Sequence, residues 1–101
     1  MSETGEACRV DVWLWRARFF KTRSLAARMV EEGCVRLSRG GARFALDKPS
    51  RSVRPGDGLV VAVGERLVAL RIEALGERRG PATEARALYS LIDEAKRAIT
   101  P

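Results

Sequence analysis

The hydrophobic period of this chain changes at Gly33. Before it the apolar residues recur at helical spacing, and after it they alternate, so helices come first and strands follow. Val10, Trp13, Leu14 and Ala17 fall at i, i+3, i+4 and i+7, and the aliphatic stem of Lys21 closes the row at i+11. Val12, Trp15 and Phe19 form a second row about 180° away, at roughly 100° per residue. Two apolar faces on one short helix require cover for the second, either from the C-terminal helix or from a partner. Thr22 or Ser24 caps a second helix running to about Glu32, with Gly33 as its left-handed stop and Leu25, Ala26, Met29 and Val30 as its apolar stripe.

Beyond Gly33, Val35 and Leu37 alternate with Arg36 and Ser38 as in a half-buried strand. Arg39-Gly40-Gly41 turns the chain, and Ala42, Phe44 and Leu46 alternate again. A basic loop, Lys48-Pro49-Ser50-Arg51, and a strong turn, Arg54-Pro55-Gly56-Asp57, lead into a strand over residues 59–63. Gly64-Glu65 reads as a hairpin connection to a partner strand over 66–75, with Val68, Leu70 and Ile72 set against Leu67, Ala69 and Arg71. After a charged loop, Thr83 caps a final helix whose Ala85, Leu88, Ile92, Ala95 and Ile99 make a narrow stripe.

Charge is placed unevenly along the 101 residues. The net charge is +6, yet residues 9–57 carry 12 Lys/Arg against 5 Asp/Glu, while residues 58–101 carry 7 against 6. One half therefore faces a polyanion and the other is structural. Arg9, Arg16, Arg18, Lys21, Arg23 and Arg28 fall within a stretch whose one acid is Asp11. Arginine forks engage phosphate oxygens bidentately, and Thr22 and Ser24 add hydroxyls beside them. Local pairing competes for some of these cations, most clearly for Arg28 against Glu31 or Glu32. The charge by itself suits RNA or DNA.

Enzymatic chemistry has little to build on. Without any His the chain cannot assemble a Ser-His-Asp or Cys-His pair, and it holds no phosphate-binding glycine loop. Cys8 and Cys34 lack the further ligands that a structural zinc site needs, and free thiols suit a cytoplasmic protein. Asp11 and Asp57 read as local capping or turn residues. Residues 1–7 are polar and acidic, unlike a signal peptide, and the apolar cluster over 12–15 is far too short to span a membrane. The expectation is a cytoplasmic, non-enzymatic monomer with no cofactor, metal, membrane or small-molecule substrate.

The run Arg9-Val10-Asp11-Val12-Trp13-Leu14-Trp15-Arg16-Ala17-Arg18-Phe19-Phe20-Lys21-Thr22-Arg23-Ser24-Leu25-Ala26 resembles the opening of the RNA-binding domain named after small-subunit ribosomal protein four. More narrowly it is similar to the stand-alone heat-shock protein fifteen family. The resemblance continues through Gly33-Cys34-Val35-Arg36, Lys48-Pro49-Ser50, Val53-Arg54-Pro55-Gly56-Asp57 and Glu77-Arg78-Arg79-Gly80-Pro81-Ala82. It implies an α+β fold built on an αL motif: two short helices packed on a small, mostly antiparallel sheet, here followed by a C-terminal helix. Residues 1–8 would be a flexible tail, 9–75 the RNA-binding domain, and 76–101 a loop and helix packed on it.

The family's role implies binding to ribosomal RNA of the large subunit, in rescue of subunits blocked by a nascent chain on transfer RNA under stress. Matched by position, the RNA-facing residues are Arg9, Arg16, Arg18, Lys21, Thr22, Arg23, Arg36, Lys48 and Arg51. The chain departs from the family at Leu37-Ser38-Arg39-Gly40-Gly41, where Ser38 replaces the usual Asn and the loop gains Arg39 and Arg43. Two rival roles stay open: an RNA-targeting module for a separate RNA-modifying enzyme, and a protein-interaction module using the second apolar face. Trp15 and Phe19 either stack on an unpaired base or pack internally.

Overall fold

The computed structural model describes residues 6–92. A short strand, Cys8–Arg9 (β1), runs straight into a helix, Val10–Arg16 (α1), that buries Val10, Trp13 and Leu14 completely. No side chain caps this helix at Arg9. Its first two N–H groups donate instead to the carbonyls of Arg51 (2.8 Å) and Pro49 (3.3 Å), so the basic loop finishes the helix end.

α1 is shorter than its hydrophobic pattern. Arg18 takes a left-handed conformation (φ 67°), the Phe19 N–H reaches back to the Leu14 carbonyl at 3.0 Å, and the Arg18 N–H to that of Trp15 at 3.1 Å. This is a Schellman closure, and its usual apolar contact is present: Phe19 folds back on Trp13, with ring centroids 6.2 Å apart. Lys21 therefore lies beyond the helix and closes no stripe. Sequence gave no warning because the left-handed position holds Arg rather than Gly or Asn.

Arg23–Glu31 (α2) follows, capped by Thr22, whose hydroxyl accepts from the Leu25 N–H at 3.0 Å. Gly33 (φ 85°) ends it through a second Schellman closure, with the Cys34 N–H on the Met29 carbonyl. Ala26 and Val30 are fully buried, but Leu25 is 37% exposed. Leu25 thus sits at the rim, and the core stripe of α2 is narrower than its apolar residues suggest.

The remaining chain forms Val35–Arg39 (β2), Ala42–Leu46 (β3), Ser52–Val53 (β4), Gly58–Val63 (β5), Arg66–Ile72 (β6), Ala82–Arg86 (α3) and Tyr89–Leu91 (β7). Five strands make an antiparallel sheet in the order β3-β2-β5-β6-β7, and β1 pairs separately with β4. Gly40 and Gly41, both with positive φ, supply the tight two-residue connection between β2 and β3 that closes on Arg39↔Ala42. Val35, Leu37, Leu59, Val61, Leu70 and Ile72 face the helices and are buried with Trp13, Leu14, Ala26 and Val30 in one core. Of the alternating Ala42, Phe44 and Leu46 only Leu46 is buried; β3 is an edge strand, and Phe44 stays 40% exposed.

Asp57 is buried in the turn before β5, accepting the Arg54 N–H at 2.8 Å and a fork from Arg39 at 2.9 and 2.7 Å. The turn and the far end of β2 are thereby tied together.

The long C-terminal helix is not what forms. α3 is a single turn with Pro81, not Thr83, at its N-cap, and it buries Ala85. Leu88 is also buried, but the chain then extends as β7 and pairs with β6 through Leu70↔Leu91 and Ile72↔Tyr89. The Leu88 carbonyl accepts from both Glu73 and Ala74, which ends β6 at Ile72 and leaves 73–75 outside the strand. Pairing with the open edge of β6 satisfies backbone groups that a helix over 83–99 would leave bare. Ala95 and Ile99 lie outside the described residues. Of the second row, Phe19, beyond the end of α1, meets a strand instead: Tyr89 lies 4.9 Å from it and edge-on to Trp13 at 6.4 Å, while Val12 and Trp15 stay half-buried.

Trp13 and Leu25 should separate cleanly in urea denaturation. Trp13→Ala removes a fully buried ring and should cost about 3–5 kcal/mol, whereas Leu25→Ala, at the rim, should cost less than about 1 kcal/mol. Comparable losses at the two positions would contradict this packing.

Candidate nucleic-acid interface

The cations proposed from sequence divide into three groups by what they touch. At the start of α1, Arg9 is committed to Asp11: its Nε and Nη2 donate to the two carboxylate oxygens at 3.0 and 2.9 Å. That hydrogen bond, with the carboxylate's charge, raises the Arg9 pKa further above its ordinary value. Lys48 and Arg51 are exposed in the loop whose carbonyls finish this helix end, and neither has a protein partner among the described residues.

At the other end of α1 the arginines turn toward backbone. Arg16 donates Nη1 to the Gly76 carbonyl at 2.9 Å and to that of Leu75 at 3.4 Å, while its buried Nε has no partner among the described residues. Arg18 donates Nε to the Gly80 carbonyl at 2.8 Å. Arg79 returns the contact, its Nε reaching the Trp15 carbonyl at 3.2 Å. These four bonds lash the 75–80 loop to the C-terminal end of α1, where they also complement its partial negative charge. Lys21 and Arg23 next to them are exposed, and no acceptor among the described residues takes their charge. Thr22 between them spends its hydroxyl oxygen on capping α2.

Arg36 stands apart. It alternates with the buried Val35 and Leu37 and sits opposite Ala45 and Val60, which puts it on the sheet face turned away from the helices. The structure therefore brings Lys21, Thr22 and Arg23 beside Arg16 and Arg18. It sets Arg9, Lys48 and Arg51 at the other end of a helix about 10 Å long, and it places Arg36 across the sheet.

Arg79 and Arg86 join the group at the C-terminal end of α1 without having been singled out. Arg86 is exposed and borders a hollow with Arg18, Phe19 and Tyr89. Sequence carried half of the signal, in Glu77-Arg78-Arg79-Gly80; the partner of Arg79 is a backbone carbonyl, which leaves no trace in a sequence. Burial pushes the Cys8 thiol up, away from a reactive thiolate, only partly offset by Arg16. Among the described residues no group of three or more His, Cys, Asp or Glu could hold a metal.

Residues 8–38, which contain α1, α2 and all but the last residue of β2, match the S4 domain family. The fold and this match define an S4-domain protein. A solved structure titled as a trimeric heat shock protein 15 from Vibrio cholerae is 40% identical, with a TM-score of 0.78 over 92% of this chain and 89% of that one. A protein named RQC P-site tRNA stabilizing factor from Bacillus subtilis is 31% identical over 87% of this chain and 95% of its own length. Heat shock protein 15 of Escherichia coli is 42% identical over 80% of this chain, and the match spans 57% of that protein's length. The chain belongs to the heat shock protein 15 family.

The two kinds of cation should be distinguishable by stability alone. Arg16→Ala strands two carbonyls and should lower unfolding free energy by about 1–3 kcal/mol, whereas Lys21→Ala with Arg23→Ala should stay within about 0.5 kcal/mol of wild type. Thermal melts of both variants check this; a large loss in the double variant would mean that these cations hold the fold.

Proposed function

We infer that this chain binds structured RNA without catalysing a reaction on it, and that its target is ribosomal RNA of the large subunit. The observation that carries the reading is the exposed pair Lys21 and Arg23, left without protein partners on a rigid connection between two capped helix ends. A folded protein normally pairs or spreads such charge; a fixed cluster suits phosphates of a folded RNA whose shape the helices read. The family's relatives support the setting, since one is named an RQC P-site tRNA stabilizing factor. By that likeness the chain acts in the cytoplasm, in rescue of large subunits that still hold a nascent chain on transfer RNA.

A monomer belongs to the same proposal. The Vibrio cholerae relative is described as trimeric, so sedimentation at the concentrations used for binding accompanies the test. No membrane is involved in this reading, and among the described residues no helix is long and apolar enough to cross one.

One observation favours a second reading, a protein-interaction or RNA-targeting module acting with a separate RNA-modifying enzyme. The outer sheet face carries a groove of about 450 Å³ over Val60, Ala62 and the 68% exposed Leu67. Salt separates the two. For four to six phosphate contacts the log–log slope of affinity against salt should be about −3 to −5, while protein association through Val60, Ala62 and Leu67, in a groove that Arg36 and Arg43 also line, should depend on salt far less. Lys21→Ala with Arg23→Ala should weaken binding to large ribosomal subunits by about 10-fold or more. A slope near zero, or full binding by the double variant, would remove the electrostatic site.

A further inference from the structure

Phe19 and Tyr89 meet at the surface beside the connection between α1 and α2. Both are half-buried, their ring centroids are 4.9 Å apart at a tilt of 49°, and they line a hollow of about 130 Å³. Each ring is fixed from behind. Phe19 is held by the Schellman closure and by Trp13, and Tyr89 by its pairing with Ile72 and its edge contact to Trp13. The Tyr89 hydroxyl has no protein partner among the described residues.

Two arginines border the same hollow. Arg18 occupies a left-handed position that glycine would fill without a steric penalty, which makes its side chain the feature to explain. Its Nε is fixed on the Gly80 carbonyl, and its terminal nitrogens have no protein acceptor among the described residues. Arg86 is exposed and equally without a partner there. Rings alone would suit any apolar group, and cations alone any phosphate. Two tilted rings and two guanidinium groups around one hollow match a ligand that joins a flat apolar ring to anionic groups.

We propose that this hollow receives one unpaired nucleobase of the bound RNA, stacked on one of the Phe19 and Tyr89 rings and touching the edge of the other, with Arg18 and Arg86 on its flanking phosphates. The proposal rests on the RNA-binding reading and sharpens it. Every base offers a π-face, so such a site is tolerant of sequence, but a base inside a duplex cannot reach it. The RNA must therefore present a bulge or loop here, while Lys21 and Arg23 beside it hold the backbone.

The test uses the full chain and two RNA hairpins of equal stem, one fully paired and one carrying a single bulged 5-iodouridine. Wild type should prefer the bulged hairpin by about 10-fold, and irradiation should crosslink the iodouridine to Phe19 or Tyr89 in peptide mapping. Tyr89→Leu should bring the preference toward unity, and Tyr89→Trp should retain it. Equal affinity of wild type for the two hairpins, crosslinks confined to other residues, or an undiminished preference in a folded Tyr89→Leu variant each overturn the proposal. If Tyr89→Leu fails to fold by thermal melt, the wild-type crosslink map and the Tyr89→Trp preference decide it. Failure of wild type to bind either hairpin at low salt is a different result: it overturns the RNA-binding reading itself.

Discussion

Trp13 is where the separate parts of this structure meet. Its ring is fully buried, and its indole N–H donates to the Ala74 carbonyl at 2.9 Å, just past the end of β6. A buried indole needs such an acceptor, because an unpaired N–H in the core costs free energy comparable to a lost hydrogen bond. That carbonyl thus ties the first helix to the chain just past β6. Phe19 stacks on the same ring and Tyr89 meets its edge, so the reversal after α1 and the last strand are both placed by it.

That anchor explains why arginines of one basic run do different work. With α1 pinned to the chain after β6, Arg16, Arg18 and Arg79 lie within reach of carbonyls across the junction and bind them. Lys21 and Arg23, a few residues further on, project past the junction and find no acceptor there. The scaffolding arginines hold the surface rigid, and the unpaired cations give it a charge for a ligand to meet. Holding a charged group in place before binding lowers the ordering cost paid on association.

The sheet shows the same economy at its margins. Asp57 is buried yet accepts three hydrogen bonds, from the Arg39 fork and the Arg54 N–H, which holds the turn before β5 to the end of β2. β7 covers the edge of β6, leaving β3 as the opposite edge, where Phe44 is exposed. A carboxylate placed by arginine and an edge closed by three residues complete a sheet that residues 35–72 alone would leave ragged.

Much of this was legible in one dimension. The change of period at Gly33, the turns at Gly40-Gly41 and Gly64-Glu65, and the cap at Thr22 depend on neighbours in sequence, and near-neighbour sterics and hydrogen bonds determine them. The early basic run and its family resemblance are likewise local. Three features were decided elsewhere. α1 stops at Arg16 because Phe19 gains a partner in Trp13 that outweighs the strain at Arg18. Residues 89–91 become a strand because β6 has an open edge, although their spacing continued a helical stripe. Arg16 and Arg18 each commit one nitrogen to backbone because carbonyls some sixty positions away in sequence fold against them. Residue types set which surfaces carry charge; only contacts between distant segments determine which of those charges remain free.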